Sequence, residues 1–248
     1  MKFARALLLA TLPLTLGLAA CDKKDAATSQ TVSAEPIARI APPAGKSWTE
    51  TFMATPEGGY LMGNPDAPIK LIEFGALSCS HCAEFSEKGF PALRDEYIAS
   101  GRVSFELRLF LLNALDMPSV LLATCSTPEA VIPLAEQFWG WQPNMFKNLQ
   151  QNEAAFQQVA NLPPEKRFGG IAQVSGMTEF FASRGVAAAQ GASCLADSDR
   201  ATKLANLNEQ WGKEYDITGT PTFFLNGNKT GVATWAELEP MLQKAGAR

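Results

Sequence analysis

Pro68-Ile69-Lys70-Leu71-Ile72-Glu73-Phe74-Gly75-Ala76-Leu77-Ser78-Cys79-Ser80-His81-Cys82 decides the fold of this chain, because in it an apolar strand hands over to a helix that opens on two cysteines. Ile69, Leu71, Ile72 and Phe74 are apolar on both faces of an extended run, the pattern of a strand buried inside a sheet. Cys79 to Gly89 reads as a helix, which Phe90-Pro91 kinks or restarts. A cysteine at a helix N-terminus faces unpaired backbone N–H groups and the positive end of the helix dipole, and both stabilise the reactive thiolate. Two intervening residues let one helical turn bring the sulfurs within bonding range. Cys79 is expected to be the exposed nucleophile and Cys82 the inner, resolving thiol.

Downstream of this unit, Gly101 ends the helical stretch, and Val103, Phe105, Leu107 and Leu109 alternate with polar residues as a strand. No convincing strand follows until Thr222. Helices are expected over Pro128 to Gln142, Asn152 to Asn161, Met177 to Arg184 and Val186 to Asp197, then a longer one carrying Leu204, Leu207 and Trp211 on one stripe. Thr222 to Leu225 and Lys229 to Val232 form a hairpin around Asn226-Gly227-Asn228, and Thr234-Trp235-Ala236-Glu237 is a capping box that opens a last helix. Upstream, Trp48 to Met53 is a candidate edge strand and Glu57-Gly58-Gly59 a turn. The order predicts an α/β fold: a strand–helix–strand half and a hairpin–helix half, separated by an all-helical insertion at about 114–198.

The N-terminus has two positive charges in Met1-Lys2-Phe3-Ala4-Arg5, an apolar run from Ala6 to Ala20 and small residues at its end, a secretory signal over 1–20. Leu18-Ala19-Ala20-Cys21 resembles the bacterial lipobox, which implies that Cys21 carries a lipid anchor; Asp22 resembles an inner-membrane retention signal. Plain cleavage, with Cys21 incidental, is the alternative. The Ala-, Ser-, Thr-, Pro- and charge-rich stretch 21–46 reads as a flexible tether, and 47–248 as the folded domain. The mature protein is therefore expected outside the cytoplasm, in the periplasm, where disulfides persist. A net charge of -4 argues against nucleic acid as a partner.

Other readings of the cysteine pair are weaker. A purely structural bridge across one turn closes too small a loop to stabilise much. A zinc site needs two further ligands, and the chain's single histidine, His81, lies between the two cysteines. Haem attachment needs histidine directly after the second cysteine, where Ala83 stands. A Cu(I) site built from Cys79, His81 and Cys82 is the rival from another class.

Gly63-Asn64-Pro65-Asp66-Ala67-Pro68, Cys79-Ser80-His81-Cys82 and Gly219-Thr220-Pro221-Thr222-Phe223-Phe224 together resemble the DsbA-like branch of the thioredoxin superfamily, over about Trp48 to the C-terminus. The resemblance implies a thioredoxin fold with a four- or five-stranded sheet and a cis proline, Pro221, against the active disulfide. It also implies that the backbone of Thr220 bonds a substrate strand and that Glu73 is a buried acid moving the inner thiol's proton. The branch usually has proline where this chain has Ser80, so its redox strength cannot be copied across. His81 is expected to tune the Cys79 thiolate. Cys125 and Cys194 are expected to form a structural disulfide, a second redox pair being the alternative. The implied activity is disulfide exchange with unfolded or partly folded exported proteins, as an oxidant, by a monomer that needs no organic cofactor or metal and is recycled by a DsbB-like membrane partner. An isomerase or reductase on the same site is the nearest rival.

Overall fold

The computed structural model describes residues 34–248; the signal segment and Cys21 lie outside them. A single six-stranded sheet organises the described residues, in the order β1-β2-β4-β3-β5-β6. Its strands are β1 (Phe52–Ala54), β2 (Tyr60–Gly63), β3 (Ile69–Gly75), β4 (Val103–Leu109), β5 (Thr222–Leu225) and β6 (Asn228–Lys229). β3 and β4 are parallel, with Glu73 opposite Leu107, and every other pairing is antiparallel. This is a thioredoxin fold. Its sheet is wider than the resemblance implied, because Tyr60–Gly63, a strand too short to show a period, folds back on Phe52–Ala54 and extends the β4 edge. Of the expected Trp48-to-Met53 strand, only Phe52 and Met53 lie in β1, Trp48–Glu50 being a 3-10 turn, and the second hairpin strand, expected over Lys229 to Val232, is the two-residue Asn228–Lys229.

The side-chain period of two along β3 directs Ile69, Leu71 and Glu73 to one face and Ile72 and Phe74 to the other. The first face meets the large core, with Phe85, Leu93, Phe105, Leu107, Phe223, Leu238 and Leu242. The second meets a smaller cluster of Phe74, Phe110, Trp211, Ile217 and Phe224. On the large-core face lie α1 (Ser80–Lys88), the short α2 (Phe90–Ala92), which Phe90-Pro91 restarts, and a π-helical turn over Leu93–Ile98.

The helical insertion comprises α3 (Asp116–Ala123), α4 (Pro128–Gln151), α5 (Glu153–Ala160), α6 (Pro164–Val174), α7 (Met177–Ala182) and α8 (Ala188–Ala196), before the long α9 (Ser198–Glu214) and the final α10 (Trp235–Lys244). α3 and α6 were not legible as helices in the sequence, and α4 runs past its expected end at Gln142 despite Pro133 and Pro143. Both prolines fall on the outer side of a helix whose Val131, Ile132, Leu134, Ala135, Phe138 and Trp139 are buried. That tertiary burial outweighs the lost backbone bonds.

The expected tether is corrected over its described part. Backbone N–H groups of Ala34, Ile37 and Ile40 donate to the carbonyls of Lys244, Gly246 and Ser100, each at 2.9 Å. Ile37 and Ile40 pack on the core, and Trp48 Nε1 donates to Ile40 O at 2.8 Å. These two isoleucines, diluted among polar residues and prolines, hold the segment down. Gly101, at φ +73°, lets it pass: a Cβ there would strike Ile40 O and Trp48 Nε1. Among the described residues, no helix is long and apolar enough to cross a membrane.

Candidate active site

Cys79 is the N-cap of α1, and its sulfur accepts from the Cys82 N–H at 3.4 Å. The cysteine expected to be exposed keeps only 7% of its surface, and Cys82 keeps none. The cover over Cys79 comes from the segment before β5, where the Thr220–Pro221 peptide bond is cis and Cys79 Sγ donates to Thr220 O at 3.1 Å. The Thr220 hydroxyl is itself buried without a hydrogen-bond partner among the described residues. Cys79 thus remains the outer sulfur of the pair, but reaching it means approaching alongside the Thr220 backbone.

The surroundings drive the two thiols in opposite directions. A bond from the Cys82 thiol does most to pull Cys79 down to about 6, helped by the N–H groups of Cys82 and His81 and opposed by burial. Cys82 is pushed well up by its own burial, by its bond to Cys79, and by the charges of Glu73 and Cys79. Glu73, wholly buried with neither carboxylate oxygen hydrogen-bonded among the described residues, is also raised, by burial first and then by Glu136 and Cys79.

The His81 ring lies at the surface rather than against the sulfur. Its imidazole is 76% exposed, with Nδ1 3.8 Å from Glu84 Oε2 one turn on. What it offers the sulfur is its backbone N–H. With the ring turned outward, Cys79, His81 and Cys82 do not converge as Cu(I) ligands. Among the described residues, no group of three or more His, Cys, Asp or Glu side chains is arranged to hold a metal ion.

The insertion supplies positioning residues that sequence reading missed. Asp116, at the start of α3, accepts from the N–H and hydroxyl of Ser78 at 2.8 and 2.9 Å, and from the N–H groups of Leu112 and Asn113 at 2.9 Å each. From α4, Trp139 Nε1 donates to Ala76 O at 3.0 Å, and Gln142 Nε2 donates to Leu77 O and Cys79 O at 2.7 and 3.0 Å. Every residue from Ala76 to Cys79 is therefore tied from outside its own helix. A glutamine on the apolar stripe of α4 was the one signal of this in the sequence. The Cys125–Cys194 disulfide, with Cα atoms 6.0 Å apart, joins the end of α3 to α8.

A thioredoxin family profile matches residues 55–244. A solved structure described as a protein-disulfide isomerase from Novosphingobium aromaticivorans superposes with TM-score 0.70 at 29% identity, over 74% of this chain and 94% of that one. Wolbachia pipientis alpha-DsbA1 shares the fold with TM-score 0.61 at 19% identity, over 76% and 90% of the two chains. Among curated relatives, a Rickettsia bellii protein provisionally named a protein-disulfide oxidoreductase is 26% identical over 76% of this chain and 64% of its own length. Disulfide bond formation protein D of Bacillus subtilis is 25% identical over 39% of this chain and 42% of its own. The chain spans about three fifths of the length of the Rickettsia relatives it matches, 59% and 60% for two of them. With the sheet order, the cysteine pair at the head of α1 and the cis proline facing it, these matches place the chain in the thioredoxin family, with a DsbA-like fold.

Proposed function

We propose that the protein is a thiol–disulfide oxidoreductase that donates its Cys79–Cys82 disulfide to unfolded exported proteins. The observation that carries this reading is the split between the sulfurs, Cys79 low at about 6 and Cys82 buried and high. A substrate thiolate attacks Cys79 Sγ, the Cys79–Cys82 bond breaks, and a mixed disulfide forms. Cys82 leaves as a thiolate and takes a proton, for which Glu73 is the buried donor. A second substrate thiolate then attacks the substrate sulfur, and Cys79 departs as the stabilised thiolate. The substrate loses two electrons and the enzyme disulfide gains them. A substrate segment lies along the Thr220 backbone. The protein acts in the periplasm as a monomer, anchored by a lipid on Cys21, and is reoxidised by a DsbB-like membrane partner; the lipobox and the family resemblance support this part.

A folded pKa of about 6 favours the thiolate at pH 7 by at most about 1.4 kcal/mol, before solvent screening is discounted. That is worth up to about 30 mV for a two-electron couple, against roughly a third as much for a thioredoxin-like thiol near 7. A glutathione titration is expected to give a potential above thioredoxin's approximate -270 mV. A potential at or below that value sinks the oxidant reading and leaves a reductase. In Cys82→Ala, substrate should be trapped on Cys79; adducts on other cysteines overturn the nucleophile assignment. The likeness at 29% identity to a protein described as a disulfide isomerase favours isomerisation as the second reading. Reactivation of a scrambled disulfide substrate without added oxidant separates the two.

A further inference from the structure

The exchange just described leaves one half-buried acid, with a buried carboxylate oxygen, without a task. Glu136 lies in the middle of α4, beside the core residues Ala135, Phe138 and Trp139. Its Oε2 accepts from Ser86 Oγ of α1 at 2.7 Å, while Oε1 is buried with no hydrogen-bond partner among the described residues. Glu73 holds both its carboxylate oxygens in the same unpartnered state. Leaving buried polar atoms unpaired costs about 1–3 kcal/mol each, so two such carboxylates on facing elements call for a reason.

The two acids flank the Gly75–Trp139 contact, and one of them reaches the surface. The Glu73 carboxyl packs towards α4: a Cβ on Gly75 would stand 2.9 Å from Glu73 Oε1 and 3.2 Å from Cζ2 of Trp139, the residue one helical turn beyond Glu136. Glu73 itself has no exposed surface. Glu136, in contrast, lines two surface grooves, one with Phe52, Phe90 and Arg94, the other with Ser80, Glu87 and Gln142. Burial lifts Glu136 to about 8, against the downward pull of the Ser86 hydroxyl and the Arg94 charge, and the charge of Glu136 helps to raise Glu73. A carboxyl that titrates near neutrality takes up and releases protons readily at working pH.

We propose that Glu136 is a positioning residue that passes protons between Glu73 and groove water, so that the Glu73–Glu136 pair connects the sealed Cys82 sulfur to solvent. This rests on the thiol–disulfide reading. When Cys82 leaves as a thiolate it takes the proton of Glu73; Glu73 recovers one from Glu136, and Glu136 from water. When reduced enzyme is reoxidised, Cys82 gives up its proton along the same route in reverse. The groups that face this route are Ser86 of α1, Arg94 of the π-helical turn, Glu73 of β3 and Cys79, with Glu84 and Glu87 on the groove rim.

The test is single-turnover oxidation of the reduced protein by oxidised glutathione, acid-quenched and followed across pH. The first step, attack by the Cys79 thiolate to give glutathionylated Cys79, needs no proton from Cys82. The second step, attack of Cys82 on Cys79 Sγ with release of glutathione, does. Glu136→Gln is expected to slow the second step by about tenfold or more near neutral pH and to remove its inflection, with the first step unchanged. Glu136→Asp should restore much of the rate, and Ser86→Ala, which removes the bond holding Glu136 down, should move the inflection to higher pH. A second step with wild-type rate and pH profile in Glu136→Gln overturns the proposal, as do two steps slowed equally. Should Glu136→Gln not fold, Ser86→Ala decides alone, and an unmoved inflection overturns the proposal. A wild-type protein that fails to exchange at all strikes the oxidoreductase reading instead.

Discussion

Cys79 Sγ and the main-chain carbonyl of Thr220 are 3.1 Å apart, across 141 residues of sequence. The thiol occupies that carbonyl only while it has a proton to donate. Once Cys79 is a thiolate, or is bonded to a substrate sulfur, the carbonyl is free to accept an N–H from a substrate strand. On the proposed function, the nucleophile and the backbone that would pair with a substrate strand share this one acceptor.

The Cys79 thiolate should titrate with a midpoint of about 6, read by its ultraviolet absorbance. Cys82→Ala removes the largest cause of the depression and should move the midpoint upwards. His81→Ala should move it less, because the backbone N–H at position 81 remains. A larger shift in His81→Ala than in Cys82→Ala would show that the imidazole governs the site after all.

Stability of the reduced protein should fall as pH rises from about 4.5 towards about 8. Glu73 and Glu136 have folded pKa values raised above 4.5, about 8 for Glu136, so the stability tied to their protonated forms is full below 4.5 and lost through that window. Each such group contributes a slope of up to about 1.4 kcal/mol per pH unit. Cys79 runs the other way: its folded value is depressed from 9.0 to about 6, so its contribution is full above 9.0 and fades as pH falls to about 6. Denaturant melts of Glu73→Gln with Glu136→Gln should show a flatter profile than wild type. Profiles of equal slope would mean that neither acid is held protonated by the fold.

Asp116→Ala should destabilise the protein by about 3–5 kcal/mol, because it strands the two buried donors of Ser78 and releases the N–H groups of Leu112 and Asn113. Asp116→Asn keeps one acceptor oxygen and should cost less. A chemical melt of Asp116→Ala within about 1 kcal/mol of wild type would show that water replaces the carboxylate there.

Replacing both Cys125 and Cys194 by alanine should cost about 4 kcal/mol for a bridge spanning 69 residues, in the chain-entropy view. Exchange through Cys79 and Cys82 should persist at temperatures where the variant is folded. Loss of exchange in a folded variant would favour the second-redox-pair reading.

What the sequence determined by itself is local. A buried strand running into a helix headed by Cys79 and Cys82 depends on side-chain period and an N-cap, both set within one turn of chain. The hairpin at Asn226-Gly227 and the proline at the mouth of β5 are equally short-range signals. Helical spacing also contained, unread, the outward position of His81, which shares a face with Glu84 while Cys82 and Phe85 point inward. What only the tertiary structure decided is which distant groups meet this local unit. The hold of Asp116, Trp139 and Gln142 on residues 76–79, the Thr220 carbonyl on Cys79, and the approach of Glu136 to Glu73 all join elements far apart in sequence. No local spacing encodes such contacts. They arise because burying the apolar faces of β3, α1 and α4 leaves those polar groups one another as partners.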